Sequence, residues 1–441
     1  MSFSFRQSFP IIASRGVHLD LKGMPPTFPR LLSLLDDFAA LRYTHILVEW
    51  EDSFPWSVDA AFRSPTAYSE DQVRQFVEKA ERLGLELIPL VQTLGHMENF
   101  LKGDHYKSLR ERPDGDETIN PLAPEAASFV QSLILDVLRL MPRVKRFHLG
   151  GDEAWAPGYA GGNPAVREFF ACHGAASLYV QHMNALMPLL ESRNIRPMLW
   201  HDMMTDWDIA SLMPLSARAD LVVWAYDGGT PLPHEALARF KEAGFTVWGA
   251  TAYKGADGVM ADRPNCAQRI ANARAWIEAT RRHGLAGIIS TGWSRYTYHS
   301  PQCEAVEAAW DMVIAHAILL HEGDCPDQLA ELVDGWARQF HPGEGALRYR
   351  MVLNAAQAYK ELQDDLWERV RMCRVQKTTA QLAHARRDIA NYRMGVGGAL
   401  KKLANAEAEY RAALAGLVDE VWLDEYFSGR RKALEIALEL Q

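Results

Sequence analysis

Eight short runs of β-branched and apolar residues recur along the chain up to about residue 300, and amphipathic helical patterns separate them. They are GVHLDL from Gly16, HILVEW from His45, ELIPLV from Glu86, VKRFHLG from Val144, RPMLWHDM from Arg196, LVVWAYD from Leu221, TVWGATAY from Thr246 and LAGIIST from Leu285. Such near-continuous apolar runs read as strands buried on both faces, as in a parallel sheet. The helix that starts at Ser69 has the clearest boundaries. Ser69 and Gln72 have capping-box spacing, Val73, Phe76, Val77, Ala80 and Leu83 share one face, and Gly84 closes it. Eight strand–helix units within roughly 250–300 residues predict an α/β fold of the (β/α)8 TIM-barrel class. A doubly wound sheet is the structural alternative, but it rarely needs eight evenly spaced strands. From about Cys325 the strand runs stop and the chain becomes rich in Ala, Leu, Glu and Arg. The expected organisation is a catalytic barrel over residues 1–324 and an all-helical C-terminal region over 325–441, packed on the barrel or on a second copy as a homodimer.

Charge and composition remove several function classes. The net charge is −9 and no basic run offers a footprint for nucleic acid. No apolar segment approaches the ~18 residues of a membrane span. Met1–Pro10 has neither the basic start nor the apolar core of a secretory signal. The five cysteines, Cys172, Cys266, Cys303, Cys325 and Cys373, are scattered and odd in number, which fits the reduced thiols of a cytoplasmic protein.

Barrel enzymes work at the C-terminal ends of their strands. Polar and aromatic residues gather there in this sequence: His18, Asp20 and Lys22 after the first strand, Glu49, Glu51 and Asp52 after the second, and Gln92, His96 and Glu98 after the third. The later strands add His148, Asp152 and Glu153, then Trp200, His201 and Asp202, then Trp224 and Tyr226, then Trp248 and Tyr253, and finally Trp293, Arg295 and Tyr296. Tryptophans at one mouth suit a flat ligand with an apolar face, such as a sugar ring. The plainer reading is that they fill the top layer of the barrel.

The stretch FHLGGDEAW, Phe147 to Trp155, sets two carboxylates side by side at the end of a buried strand. The Gly150–Gly151 pair lets the backbone bend so that both enter one pocket. Close carboxylates cannot both ionise freely, so one is pushed towards the protonated form that a general acid requires. The expected division is Glu153 as the acid and Asp152 as the orienting anion. A solvated loop or a simple ion pair is the plain alternative.

These residues resemble the signature of the glycoside hydrolase family 20 β-N-acetylhexosaminidases, in which HLGGDE precedes an aromatic. RGVHLDLKG at Arg15, EWEDSFPW at Glu49, LVQTLGHMENF at Leu90, MLWHDM at Met198, WGATAYKG at Trp248 and STGWSRY at Ser290 agree with it, and the set is most similar to the hexosaminidase D-like subgroup. The likeness covers roughly residues 10–320. It implies substrate-assisted retaining hydrolysis of terminal β-linked N-acetylhexosaminides, with no cofactor and no metal. Glu153 is then acid and base, Asp152 holds the acetamido N–H, and Tyr253 bonds the acetamido oxygen. Trp200, Trp224 and Trp293 wall the acetamido pocket, Arg15 binds ring hydroxyls, His96 flanks the acid, and Glu51 or Asp52 supplies an acidic loop. The sequence departs from the family where Gly255 and Arg295 replace two acids that meet the 4- and 6-hydroxyls. That departure opens the choice between gluco and galacto sugars, and the subgroup inclines it to N-acetylgalactosamine. The rival readings are a metal-dependent barrel hydrolase and a non-catalytic sugar-binding barrel.

Overall fold

The computed structural model describes residues 3–154, 162–228, 231–326, 328–379 and 385–439. Each of the eight apolar runs is a strand: β1 Ser14–Asp20, β2 His45–Glu49, β3 Glu86–Leu90, β4 Arg146–His148, β5 Arg196–Trp200, β6 Asp220–Trp224, β7 Thr246–Lys254 and β8 Gly287–Gly292. All neighbours pair in parallel and β8 returns to β1, with Val17 opposite Ser290, so the sheet closes into a barrel in sequence order. The separating helices form the outer ring. The helix Glu70–Arg82 begins with the capping box of Ser69 and Gln72, and Gly84 follows it at a φ of 72°.

Closure makes the pleat decide what faces where. Leu47, Ile88, Met198, Val222, Trp248 and Ile289 point into the barrel and pack together. Val17, Leu19, Ile46, Val48 and Val247 point outwards to the helices and belong to the main apolar cluster. Above the interior layer, towards the strand C-termini, the inward residues turn polar: His18, Glu49 and His148 are all fully buried. This polar layer is the floor of the mouth.

Beyond β8 the described chain is helical: Trp310–Glu322, Leu329–Phe340, Glu344–Thr379, Ala385–Leu414 and Glu420–Glu439. Trp336 and Tyr349 pack into the barrel's own apolar cluster. Tyr359, Tyr410, Leu423 and Phe427 build a second cluster that also takes in Met24, Ala305 and Ala308 from the barrel's loops. Among the described residues no helix is long and apolar enough to cross a membrane.

Close packing of the outer ring gives a test of the barrel wall. A Cβ on Gly249 would stand 2.5 Å from the ring of Trp276, whose Nε1 is tied to the carbonyl of Ala225 at 3.0 Å and cannot easily retreat. Gly249→Ala is expected to cost about 1–3 kcal/mol by overpacking, read as a lower denaturation midpoint. Wild-type stability would mean that the ring and strand β7 are not in this contact.

Candidate active site

Strand β4 is short, and its end is bent rather than extended. Gly150 and Gly151 take φ values of 63° and 85°, and Glu153 follows at 47°. A side chain at Gly150 would collide with the Gln92 amide, and one at Gly151 would meet Tyr179 Oη at 2.5 Å. The turn therefore needs glycine for both conformation and space. It delivers Asp152 and Glu153 to one pocket, where a straight strand would have parted them. Trp155, the aromatic after the pair, lies outside the described residues.

Asp202, just after β5, holds this turn. Its Oδ2 accepts from the backbone N–H of Glu153 at 2.8 Å, and its Oδ1 accepts from Trp224 Nε1 at 3.2 Å. One carboxylate thus fixes both a left-handed glutamate and an aromatic wall. From β3, His96 reaches between the pair: its Nε2 is 3.5 Å from Asp152 Oδ2 and 3.3 Å from Glu153 Oε2.

These carboxyls share a cavity of about 250 Å³ that is also lined by Lys22, Gln92, Trp224, Tyr226, Trp293 and Arg295. Trp224 stacks on Tyr226 at 5.4 Å and 19°. Trp293 stands edge-on to His18 at 4.9 Å, with the Lys22 ammonium 5.6 Å from its centroid. Beneath, Lys22 Nζ lies 3.1 Å from Glu49 and 3.3 Å from Asp20.

The electrostatics divide the two adjacent carboxyls. Burial pushes Asp152 up to about 7, partly opposed by His96. The hydrogen bond from His96 holds Glu153 below the ordinary glutamate range, against a smaller burial effect. His96 is itself raised to about 10, because Asp152 and Glu153 outweigh the cost of burying its charge. In the unliganded site Asp152 is therefore the carboxyl with the higher proton affinity and Glu153 the one with the lower, the reverse of the order expected from sequence. The reason is position: Asp152 is buried, whereas Glu153 is half exposed and faces the imidazolium.

Asp152, Glu153, His96, Trp224, Trp293 and Arg295 are brought together around the cavity. Trp200 lies one layer lower, fully buried between His148 at 4.3 Å and Trp293 at 5.9 Å. Glu51 and Asp52 form a buried turn behind the lining, and burial lifts Asp52 to about 6 despite Arg295 and Lys102. Two expectations are corrected. Arg15 is at the opposite end of β1, where its guanidinium donates to the carbonyls of Ile12 at 2.7 Å, Ala13 at 2.9 Å and Arg42 at 2.6 Å. The cation that β1 sends to the mouth is Lys22. Tyr253 has the parity of Val247, so it faces away from the interior, and its hydroxyl donates to the His18 carbonyl at 3.0 Å. Two tyrosines line the cavity: Tyr296, whose hydroxyl accepts from the Gly258 N–H at 3.0 Å, and Tyr226, whose hydroxyl is buried. Its spacing of two from Trp224 was the available signal. Among the described residues no three His, Cys, Asp or Glu side chains converge as metal ligands.

Residues 26–251 match the catalytic domain of glycosyl hydrolase family 20. Hexosaminidase D from Bos taurus is 32% identical over 336 residues, which span 73% of this chain and 96% of that protein. Hexosaminidase D from Homo sapiens is 32% identical over 333 residues, spanning 73% and 68%. Among solved structures, the chitobiase of Flavobacterium johnsoniae superposes with a TM-score of 0.57 at 18% identity, over 81% of this chain and 55% of that one, a likeness of fold.

The bridge between the carboxyls has a direct spectroscopic consequence. The His96 ring is expected to remain protonated past neutral pH and to titrate near 10 by NMR. Asp152→Asn removes one of its two anionic partners and should bring that titration down towards the ordinary value of about 6.5. A wild-type ring already neutral at pH 8 would contradict the bridge.

Proposed function

This chain belongs to glycosyl hydrolase family 20, and on that premise we propose that it is an exo-acting, retaining β-N-acetylhexosaminidase. Its substrate is a terminal β-linked N-acetylgalactosamine, with N-acetylglucosamine as the competing sugar. The observation that carries this reading is the imidazole of His96 set between Asp152 and Glu153 inside a cavity walled by Trp224 and Trp293. The cavity is smaller than the clefts of roughly 300–1,000 Å³ that hold drug-sized ligands, which suits one sugar ring and supports exo cleavage. The absence of carboxylates at Gly255 and Arg295 supports the galacto sugar. The free cysteines Cys172, Cys266 and Cys303 support work in the cytoplasm.

In this mechanism the substrate's own acetamido oxygen attacks C1 as Glu153 protonates the departing glycosidic oxygen. The C1–O bond breaks, and an oxazolinium ion with a new C1–O bond remains. Asp152 accepts the acetamido N–H and stabilises the positive charge. Tyr226, which lines the cavity beside Trp224, takes the role first given to Tyr253 and donates to the acetamido oxygen. Glu153 then draws a proton from water, whose oxygen adds to C1 and opens the ring.

In the unliganded site the higher proton affinity belongs to Asp152 rather than to the acid, and on this reading the substrate reverses the order. An acetamido N–H directed at Asp152 favours its anion, while a glycosidic oxygen beside Glu153 favours its acid. Sugar stacked on the tryptophans also removes water from Glu153. Binding therefore moves one proton within the pair rather than acquiring one from solvent. A sugar-binding barrel without chemistry needs neither the proton nor the held turn at Glu153.

Wild type is expected to release nitrophenol from p-nitrophenyl β-N-acetylgalactosaminide faster than from the glucosaminide. Glu153→Gln should slow both by about 10²–10⁴-fold. If neither sugar is cleaved, or if the variant keeps the full rate, the sugar-binding reading replaces this one. The pH profile is a separate check. The competent free enzyme carries one carboxyl proton, so kcat/KM should fall as pH rises through about 7, where Asp152 loses it. The acid limb lies below the ordinary glutamate range, because Glu153 is lowered. A profile flat from neutral to alkaline pH would exclude the shared proton.

A further inference from the structure

The helices after the barrel supply none of the chemistry above, yet they sit on the face where it happens. The turn before the last helix bonds to the β1 loop: Thr27 N donates to the Leu417 carbonyl at 2.8 Å, and Thr27 Oγ1 to that of Gly416 at 2.8 Å. The C-terminal helix, Glu420–Glu439, reaches three more loops. Trp422 Nε1 donates to Thr66 Oγ1 at 2.7 Å on the β2 side. Arg430 Nε donates to Asp262 at 2.5 Å after β7, and its Nη2 to the Gln302 carbonyl at 2.9 Å after β8.

The contact closest to the cavity is Arg295. Its side chain lines the cavity although it is only 5% exposed. Its Nη2 pairs with Glu425 of the C-terminal helix, its guanidinium lies 5.8 Å from the Trp422 ring centre, and its Nη1 donates to the Tyr298 carbonyl at 3.0 Å. A guanidinium is a rigid planar fork, so two held nitrogens and one stacked face fix its plane. Trp293 and Tyr296, on either side in sequence, also line the cavity. Whatever holds Arg295 therefore holds the β8 wall.

We propose that the C-terminal helix is part of the substrate-binding unit: Glu425 and Trp422 are positioning residues that hold Arg295, and with it the β8 wall, in the geometry that receives the sugar. The kinetic readout of this proposal rests on the hexosaminidase reading; its structural readout does not. Glu425 is half exposed, and pairs of that kind contribute little to folding. A purely structural role would move stability; a positioning role moves substrate binding. Without Glu425, Arg295 is released towards Asp52, whose carboxyl it already faces electrostatically.

Glu425→Ala is expected to raise KM for the preferred nitrophenyl glycoside about tenfold, with kcat within about twofold and the thermal midpoint unchanged. Glu425→Gln, which keeps volume but loses charge, should raise it about threefold. Glu435→Ala, exposed on the same helix, serves as the control and should behave as wild type. The double variant Arg295→Ala/Glu425→Ala should be no worse than Arg295→Ala alone, since the first loss already contains the second. Wild-type KM in both Glu425 variants, or full additivity in the double variant, overturns the proposal. If wild type cleaves neither glycoside, the hexosaminidase reading falls, and amide hydrogen exchange over residues 293–302 decides this one. Faster exchange in Glu425→Ala sustains it; unchanged exchange overturns it.

Discussion

Glu49 ends β2 fully buried, and its charge is tolerated there because Lys22 lies 3.1 Å from one oxygen and His18 lies 3.4 Å from the other. A lone carboxylate at that depth would take up a proton instead. Lys22 reverses the effect, and Glu49 is held well below the glutamate range although burial alone would raise it. The pair does more than neutralise itself. It stations an ammonium at the cavity floor beneath Trp293, and Gln92 adds an amide 3.4 Å from Glu49. The same Gln92 occupies the space that Gly150 leaves open, so this ionic layer and the bend of β4 fit one another. The mouth is built upwards from this layer.

Two adjacent carboxyls acquire different characters because the fold gives them different neighbours, not because their chemistry differs. Asp152 is buried, with the Asp202 and Glu49 charges nearby, and both resist its ionisation. Glu153 is turned outwards by a left-handed backbone and meets an imidazolium. The left-handed turn is itself unfavourable for a glutamate, and the hydrogen bond from its N–H to Asp202 helps to hold it. Asp202 therefore links three properties: the turn, the position of Trp224 and the proton affinity of Asp152. A site arranged in this way responds to a ligand at either end of the pair, since a change at one carboxyl is felt at the other through His96.

The architecture was legible in the sequence because a closed parallel barrel repeats one pattern, and all eight apolar runs became strands. The site was legible where a residue's position follows directly from a strand end: Asp152, Glu153, His96, Trp224 and Trp293 all reach the cavity. It was less legible where the pleat decides. Arg15 and Lys22 belong to one motif, yet seven residues of extended strand separate the barrel's two ends, and only the later cation reaches the mouth. Tyr253 lies within β7 and Tyr226 just beyond β6, and only Tyr226 packs on the inward side with its tryptophan. Proton affinity was the least legible property, because adjacency says that two charges repel but not which one finds a partner. His96, brought from β3, settles that in space.

The C-terminal helices had no motif to report, and their role follows from where their apolar faces end. Met24, Ala305 and Ala308 belong to the β1 and β8 loops, yet they pack with Tyr359, Tyr410 and Phe427 rather than with the barrel interior. The loops that surround the cavity on that side thus depend on a second core outside the barrel. Loops over a binding mouth need freedom to vary, and a rigid barrel supplies fixed strand ends but little support above them. A helical layer resting on the β1, β2, β7 and β8 loops supplies that support through side chains such as Trp422 and Arg430, each of which touches loop atoms directly. The carboxyl pair of Asp152 and Glu153 stands on the other side, after β4, held by His96 after β3 and Asp202 after β5. One half of the mouth is tied by charges within the barrel and the other half by a helix packed against it, so the two halves answer to different interactions.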